Sequence, residues 1–160
     1  MEMGLKAPSF IEWIFMIEEA IVKEIAREKA LELGGFLVST KVSEQNIINV
    51  FVDKKVGISI NECLQISRHI ENKLDREIED FQLSVSSPGL TKPFLVKEQY
   101  HKNIGKDIVV KLNSGEKVKG KLIEYNNDIT IETASKTKGK QDKFIIASGD
   151  IKETKLIFKI

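Results

Sequence analysis

Residues 83–94 read LSVSSPGLTKPF and contain two of the three prolines in a chain of 160 residues. Ser86 and Ser87 meet Pro88-Gly89, and Pro93 follows four residues after the glycine. One reading is a loop built around a nucleophilic serine. That chemistry needs a base, an orienting acid and, in many hydrolases, a GxSxG elbow. No glycine precedes either serine, and His101 is the only histidine downstream. The other reading is a rigid joint: Pro88 fixes φ, Gly89 permits a conformation other residues resist, and the serines satisfy turn amides. Leu90 and Phe94 would anchor it on either side. Ser86, Ser87, Pro88, Gly89, Leu90 and Pro93 are therefore the expected joint, with a serine hydrolase as the weaker alternative.

Upstream, Ile14, Ile17, Ile21 and Ile25 recur every three to four positions, with Val22, Ala26 and Leu33 beside them. This predicts an amphipathic helix over about 11–33, stopped by Gly34-Gly35. The period then falls to two, giving strands at about 36–43 and 47–53 joined by Glu44-Gln45-Asn46. Ser59 followed by Glu62 is a capping-box pattern. It opens a helix predicted to reach Ile78, with Ile60, Cys63, Leu64, Ser67, Ile70, Leu74 and Ile78 on one face. Arg68, Asn72 and Arg76 fall on the other face, and His69 reads as a solvated surface residue. A third strand at 82–86 leads into the joint.

Downstream, a helical turn in KEQYHKNIG precedes five strand-like stretches: DIVVKL, KVKGKLIEY, DITIET, KFIIAS and TKLIFKI. Asn113-Ser114-Gly115 and Asn126-Asn127 suit tight hairpins. The fold class expected is α+β with two domains. Residues 1–90 form an α-β-β-α-β, KH-like module with a three-stranded sheet. Residues 91–160 form a small SH3-like or Sm-like β-barrel.

Net charge divides at the joint. Residues 1–90 hold 10 Lys/Arg against 15 Asp/Glu, a net of −5, and residues 91–160 hold 15 against 9, a net of +6. Modules of opposite sign suggest different partners. Cys63 is the single cysteine, which excludes an internal disulfide and a cysteine-based zinc site. It reads as a small core residue rather than a reactive thiol. His69 and His101 show no HxxH or HExxH spacing, so no metal or other cofactor is expected. The N-terminal apolar run is short and broken by Glu12, with neither a bilayer span nor a secretory signal. A cytoplasmic location is expected, without a membrane partner or a small-molecule substrate.

Gly115 to Lys121 matches GxxxxGK, but Leu122 stands where a P-loop has Ser or Thr. The second glycine also sits in the alternation Val118, Gly120, Leu122, which is a strand and not the start of a helix. Lys117, Lys119 and Lys121 would share one strand face, and Lys136, Lys138, Lys140 and Lys143 add charge from the following loop. With Lys92 these are the candidate contacts to RNA phosphates or a protein partner. The alternative is a sheet face kept soluble by lysine.

The chain resembles the ribosome maturation factor RimP family. Its VSSPGL, with Pro93 and the apolar Phe94, is similar to the family stretch V-S-S-P-G-L-D-R-P-L. The segment ISINECLQISRHIENKLDREIEDFQLSVSS is similar to the family's D-D-C-…-S-R-…-L-D region, and Asn103-Ile104-Gly105-Lys106 to the turn that opens its second domain. The likeness covers roughly residues 17–160. It implies a non-enzymatic assembly factor, acting as a monomer, that binds the free, immature small (30S) ribosomal subunit. The implied partners are ribosomal protein S-twelve and small-subunit rRNA. A general Sm-like RNA-binding protein is the alternative. Thr91-Lys92 replaces the family's Asp-Arg, removing any bidentate arginine contact there. Residues 1–15, with Trp13, stand as an extension to the family's start.

Overall fold

The computed structural model describes residues 17–77, 79–134 and 139–158. The chain divides into two compact units, Met1–Ser87 and Pro88–Ile160.

In the first unit, α1 (Glu19–Glu32) packs on a sheet of β1 (Phe36–Val42), β2 (Ile47–Asp53) and β3 (Gln82–Ser86), with α2 (Ile60–Lys73) beside it. The expected residues 11–16 of the first helix lie outside the described residues, while Ile17 and Glu18 precede α1. Its buried face is Val22, Ala26 and Ala30, not the isoleucine stripe; Ile21 is 51% exposed. Small alanines let the helix lie close to the sheet, and Ile21 is one position, about 100°, off that line. The helix ends in a Schellman arrangement. Gly35 N–H donates to Ala30 O (2.8 Å) and Gly34 N–H to Leu31 O (3.0 Å), with Gly34 at φ +81.

The sheet order is β1-β2-β3, with β1 antiparallel and β3 parallel to the central β2. Ile48, Val50 and Val52 of β2 are fully buried against Val22, Ala26, Ile66 and Ile70, as the two-residue period requires. In the β1–β2 turn, Asn46 takes φ 56 and Ser43 Oγ accepts from Ile47 N–H at 3.0 Å.

The capping box expected at α2 is formed: Glu62 N–H donates to Ser59 Oγ (3.0 Å) and Ser59 N–H to Glu62 Oε1 (3.1 Å). The helix stops at Lys73, short of the expected 78, because Leu74 is extended (φ −102, ψ 143). Asp75 then accepts Glu77 N–H through its own carboxylate, a local turn that competes with the helix. Arg76 belongs to this turn and not to a solvent face of α2, and Ile78 lies outside the described residues. The core stripe is Ile66 and Ile70 with Cys63 and Leu74 packed beside them. Ile60 and Leu64, expected inside, are exposed.

The second unit holds the short α3 (Lys97–Lys102) and five antiparallel strands. These are β4 (Asp107–Leu112), β5 (Lys117–Asn126), β6 (Asp128–Ala134), β7 (Gln141–Ile146) and β8 (Ile151–Leu156), in the order β7-β6-β5-β4-β8. The last two strands begin two and three residues earlier than expected, since Ser148–Asp150 forms a 3-10 turn between them. The expected barrel is not closed: the edge strands β7 and β8 are not hydrogen-bonded to each other. Their link of residues 147–150 is tied instead to β4 and β6. Asn113 N–H donates to Asp150 O (2.9 Å) and Ser148 N–H to Asp128 Oδ1 (3.0 Å).

Ile108, Val110, Leu122, Ile129, Ile131 and Ile146 form this unit's core. Tyr100 stacks on Tyr125 at 4.3 Å, meets Phe94 edge-on at 5.0 Å, and donates to the buried Thr154 hydroxyl at 2.9 Å. Burial pushes the Tyr100 phenol above its ordinary pKa, so it stays a donor at neutral pH.

Candidate functional site

The SSPGL stretch begins as the end of β3 and leaves it in a turn in which Lys92 N–H donates to Gly89 O at 3.1 Å. Gly89 has no positive φ, and a Cβ there would meet only Lys92 Cγ at 3.7 Å. Leu90 is exposed rather than an anchor. Phe94 does anchor: its N–H donates to Thr154 O at 2.8 Å and its ring packs on the second unit's core. Neither Ser86 nor Ser87 bonds a turn amide among the described residues. Both line a groove with Cys63, and among the described residues no histidine or carboxylate shares that lining. The Cys63 thiol is held above its ordinary pKa by burial, then by the charges of Glu62 and Asp53, so it is not a thiolate nucleophile at neutral pH.

The lysine face is more informative. Lys117, Lys119 and Lys121 are exposed along β5 and alternate with the inward Val118, Gly120 and Leu122. Their cross-strand neighbours differ. Lys121 stands opposite Asp107 on one side and Glu132 on the other, and Glu132 in turn opposes Lys143. That row alternates in sign across four strands and neutralises itself. Lys119 opposes Val109 and, beyond it, Lys155; Lys117 opposes Lys111 and, beyond it, Glu153. Glu153 lies 4.0 Å from Lys155. The positive end of the face is thus Lys111, Lys117, Lys119 and Lys155, of which spacing along one strand exposed only two. Strand pairing supplies the other two, and no signal within β5 could have found them. Lys140 and Lys143 are exposed at the β7 edge, Lys92 is exposed in the turn, and Lys136 and Lys138 lie outside the described residues.

Gly120 is explained by the sheet. A Cβ there would stand 2.1 Å from Ile131 Cγ2 and 2.8 Å from Glu132 O. The glycine of the P-loop-like string serves close packing, and it lies within β5 as the alternation predicts.

A model of the RimP N-terminal domain matches residues 21–91. A ribosome maturation factor RimP of Christiangramia forsetii is 34% identical over 151 residues, 88% of this chain and 97% of that protein. The chain belongs to the RimP family. The RimP of Porphyromonas gingivalis is 36% identical over 147 residues, 86% of this chain and 97% of its own length. That of Flavobacterium psychrophilum is 35% identical over 117 residues. RimP relatives are named for ribosome maturation, not for a catalysed reaction. Among the described residues, no helix is long and apolar enough to cross a membrane.

Proposed function

We propose that this RimP-family chain is an assembly factor for the small ribosomal subunit. It binds the free, immature 30S particle in the cytoplasm and assists incorporation of ribosomal protein S-twelve, without catalysing a reaction. The observation that supports this reading is the 34% identity to a ribosome maturation factor over 88% of the chain. The Lys111, Lys117, Lys119 and Lys155 cluster, with Lys92 and Lys140, supplies the positive charge with which the 91–160 module meets rRNA phosphates. The acidic 1–90 module suits a basic ribosomal protein. Residues 86–93 serve as the joint between the two.

Sucrose-gradient analysis of a deletion strain tests this. Free subunits and precursor rRNA accumulate, and the tagged protein co-sediments with free small subunits. A normal gradient profile sinks the reading. Equal affinity for unrelated RNA, with a steep salt dependence, replaces it with general RNA binding.

A further inference from the structure

The outer edge of β3 carries a second candidate site. Gln82 N–H donates to Asn46 O beside β2, and amide direction alternates along a strand. Gln82, Ser84 and Ser86 therefore turn their main-chain groups toward β2, while Leu83 and Val85 turn theirs outward. Neither Leu83 nor Val85 has a main-chain partner on that side among the described residues. This edge opens into a groove of about 420 Å³ between β3 and the first two turns of α2. The α2 wall carries Ile60, 89% exposed, and Leu64, 44% exposed, with Cys63 and Ser67 beside them, and among the described residues no charged side chain lines the groove.

We propose that this groove takes an extended, basic segment of a partner protein, which adds a strand to the β3 edge. The outward N–H and C=O groups of Leu83 and Val85 recur every second residue, which matches the main chain of an extended segment. Alternate apolar side chains of that segment then lie against Ile60 and Leu64. Its charge follows from the first unit, where 15 Asp/Glu outnumber 10 Lys/Arg. RNA is disfavoured by the net negative charge of the same unit. The proposal rests on the reading of the acidic module as the seat of a basic protein, and its test on the isolated chain succeeds or fails independently of the gradient profile.

Amide NMR of the full chain tests it, with the blocked peptide Lys-Val-Lys-Ile-Lys-Val-Lys as probe. The Leu83 and Val85 amides exchange slowly only with peptide present, and shifts cluster at these residues, Ile60 and Leu64. N-methylation of alternate peptide bonds weakens binding about tenfold or more, the scale of two lost hydrogen bonds. The double variant Ile60→Ser, Leu64→Ser weakens it by a similar factor; both side chains are exposed, so the rest of the amide spectrum is retained. The idea fails if N-methylation has no effect, if the Glu-for-Lys peptide binds equally, or if shifts map elsewhere. It also fails if decauridylate perturbs these amides in the peptide's place. Protection that rises with concentration of the protein alone assigns the edge to a second copy and overturns it too.

Discussion

Gly120 lies directly against Ile131, so that a single added methyl on the glycine would stand 2.1 Å from Ile131 Cγ2. Ile131 is fully buried and cannot swing away. Gly120→Ala is expected to destabilise the protein by about 1–3 kcal/mol, the usual range for overpacking a filled core. Ile131→Leu, which moves the branch off Cβ, recovers part of that loss in the double variant. Urea unfolding of the four proteins of the cycle measures it, and purely additive effects rule out this contact as the cause.

The pairing of Ser59 with Glu62 sets a second expectation. Ser59→Ala removes the acceptor for Glu62 N–H and is expected to cost about 1 kcal/mol. The Glu62 carboxyl is held below its ordinary pKa by the hydrogen bond from Lys54 (2.9 Å), then by Ser59 N–H. A depressed carboxylate stabilises the folded state above its unfolded pKa and loses that contribution as pH falls through the folded value. The stability gap between the parent and Glu62→Gln is therefore full at pH 7 and closes in acid, below the ordinary glutamate range. A gap that is constant from pH 7 to pH 3 contradicts this.

Arg76 organises the turn that sequence periodicity mistook for helix. Its guanidinium sits 4.0 Å over the Phe81 ring and donates from Nη1 to Asp80 Oδ1 and to Phe81 O, each at 2.7 Å. Asp80 is held below its ordinary pKa, first by Phe81 N–H and then by Arg76. Arg76→Lys keeps the charge but loses the planar fork and the stacking. It is expected to cost about 0.5–1 kcal/mol in thermal or urea unfolding, with Arg76→Ala costing more. Equal stability of the lysine variant and the parent would show the stacking to be idle.

These cases mark what the sequence made legible. The capping box, the β2 alternation and the strand setting of Gly120 depend on residues close in sequence, where periodicity and cap chemistry act. The α2 face was misread because Leu64 and Ile60 are apolar yet stand over an open groove, while Ile66 and Ile70 meet the sheet. Hydrophobicity alone cannot tell a core residue from a groove wall. The barrel was expected from strand count and turn spacing, but closure depends on pairing between β7 and β8, which no local pattern encodes. The lysine site was half legible, since Lys111 and Lys155 join it only through strand pairing.

That pairing separates lysines that look alike in sequence. Lys121 stands between Asp107 and Glu132, whereas Lys119 stands beside Val109 with Lys155 beyond it. A phosphate approaching Lys121 must compete with two carboxylates, and one approaching Lys119 competes with none directly opposite. In binding to free small subunits, Lys119→Gln and Lys117→Gln are each expected to weaken affinity. Each should also lower the slope of log affinity against log salt by about 1. Lys121→Gln is expected to leave both nearly unchanged. Filter binding across a salt series measures all three. An equal loss at all three positions would show that charge along β5, rather than its cross-strand surroundings, sets the contact.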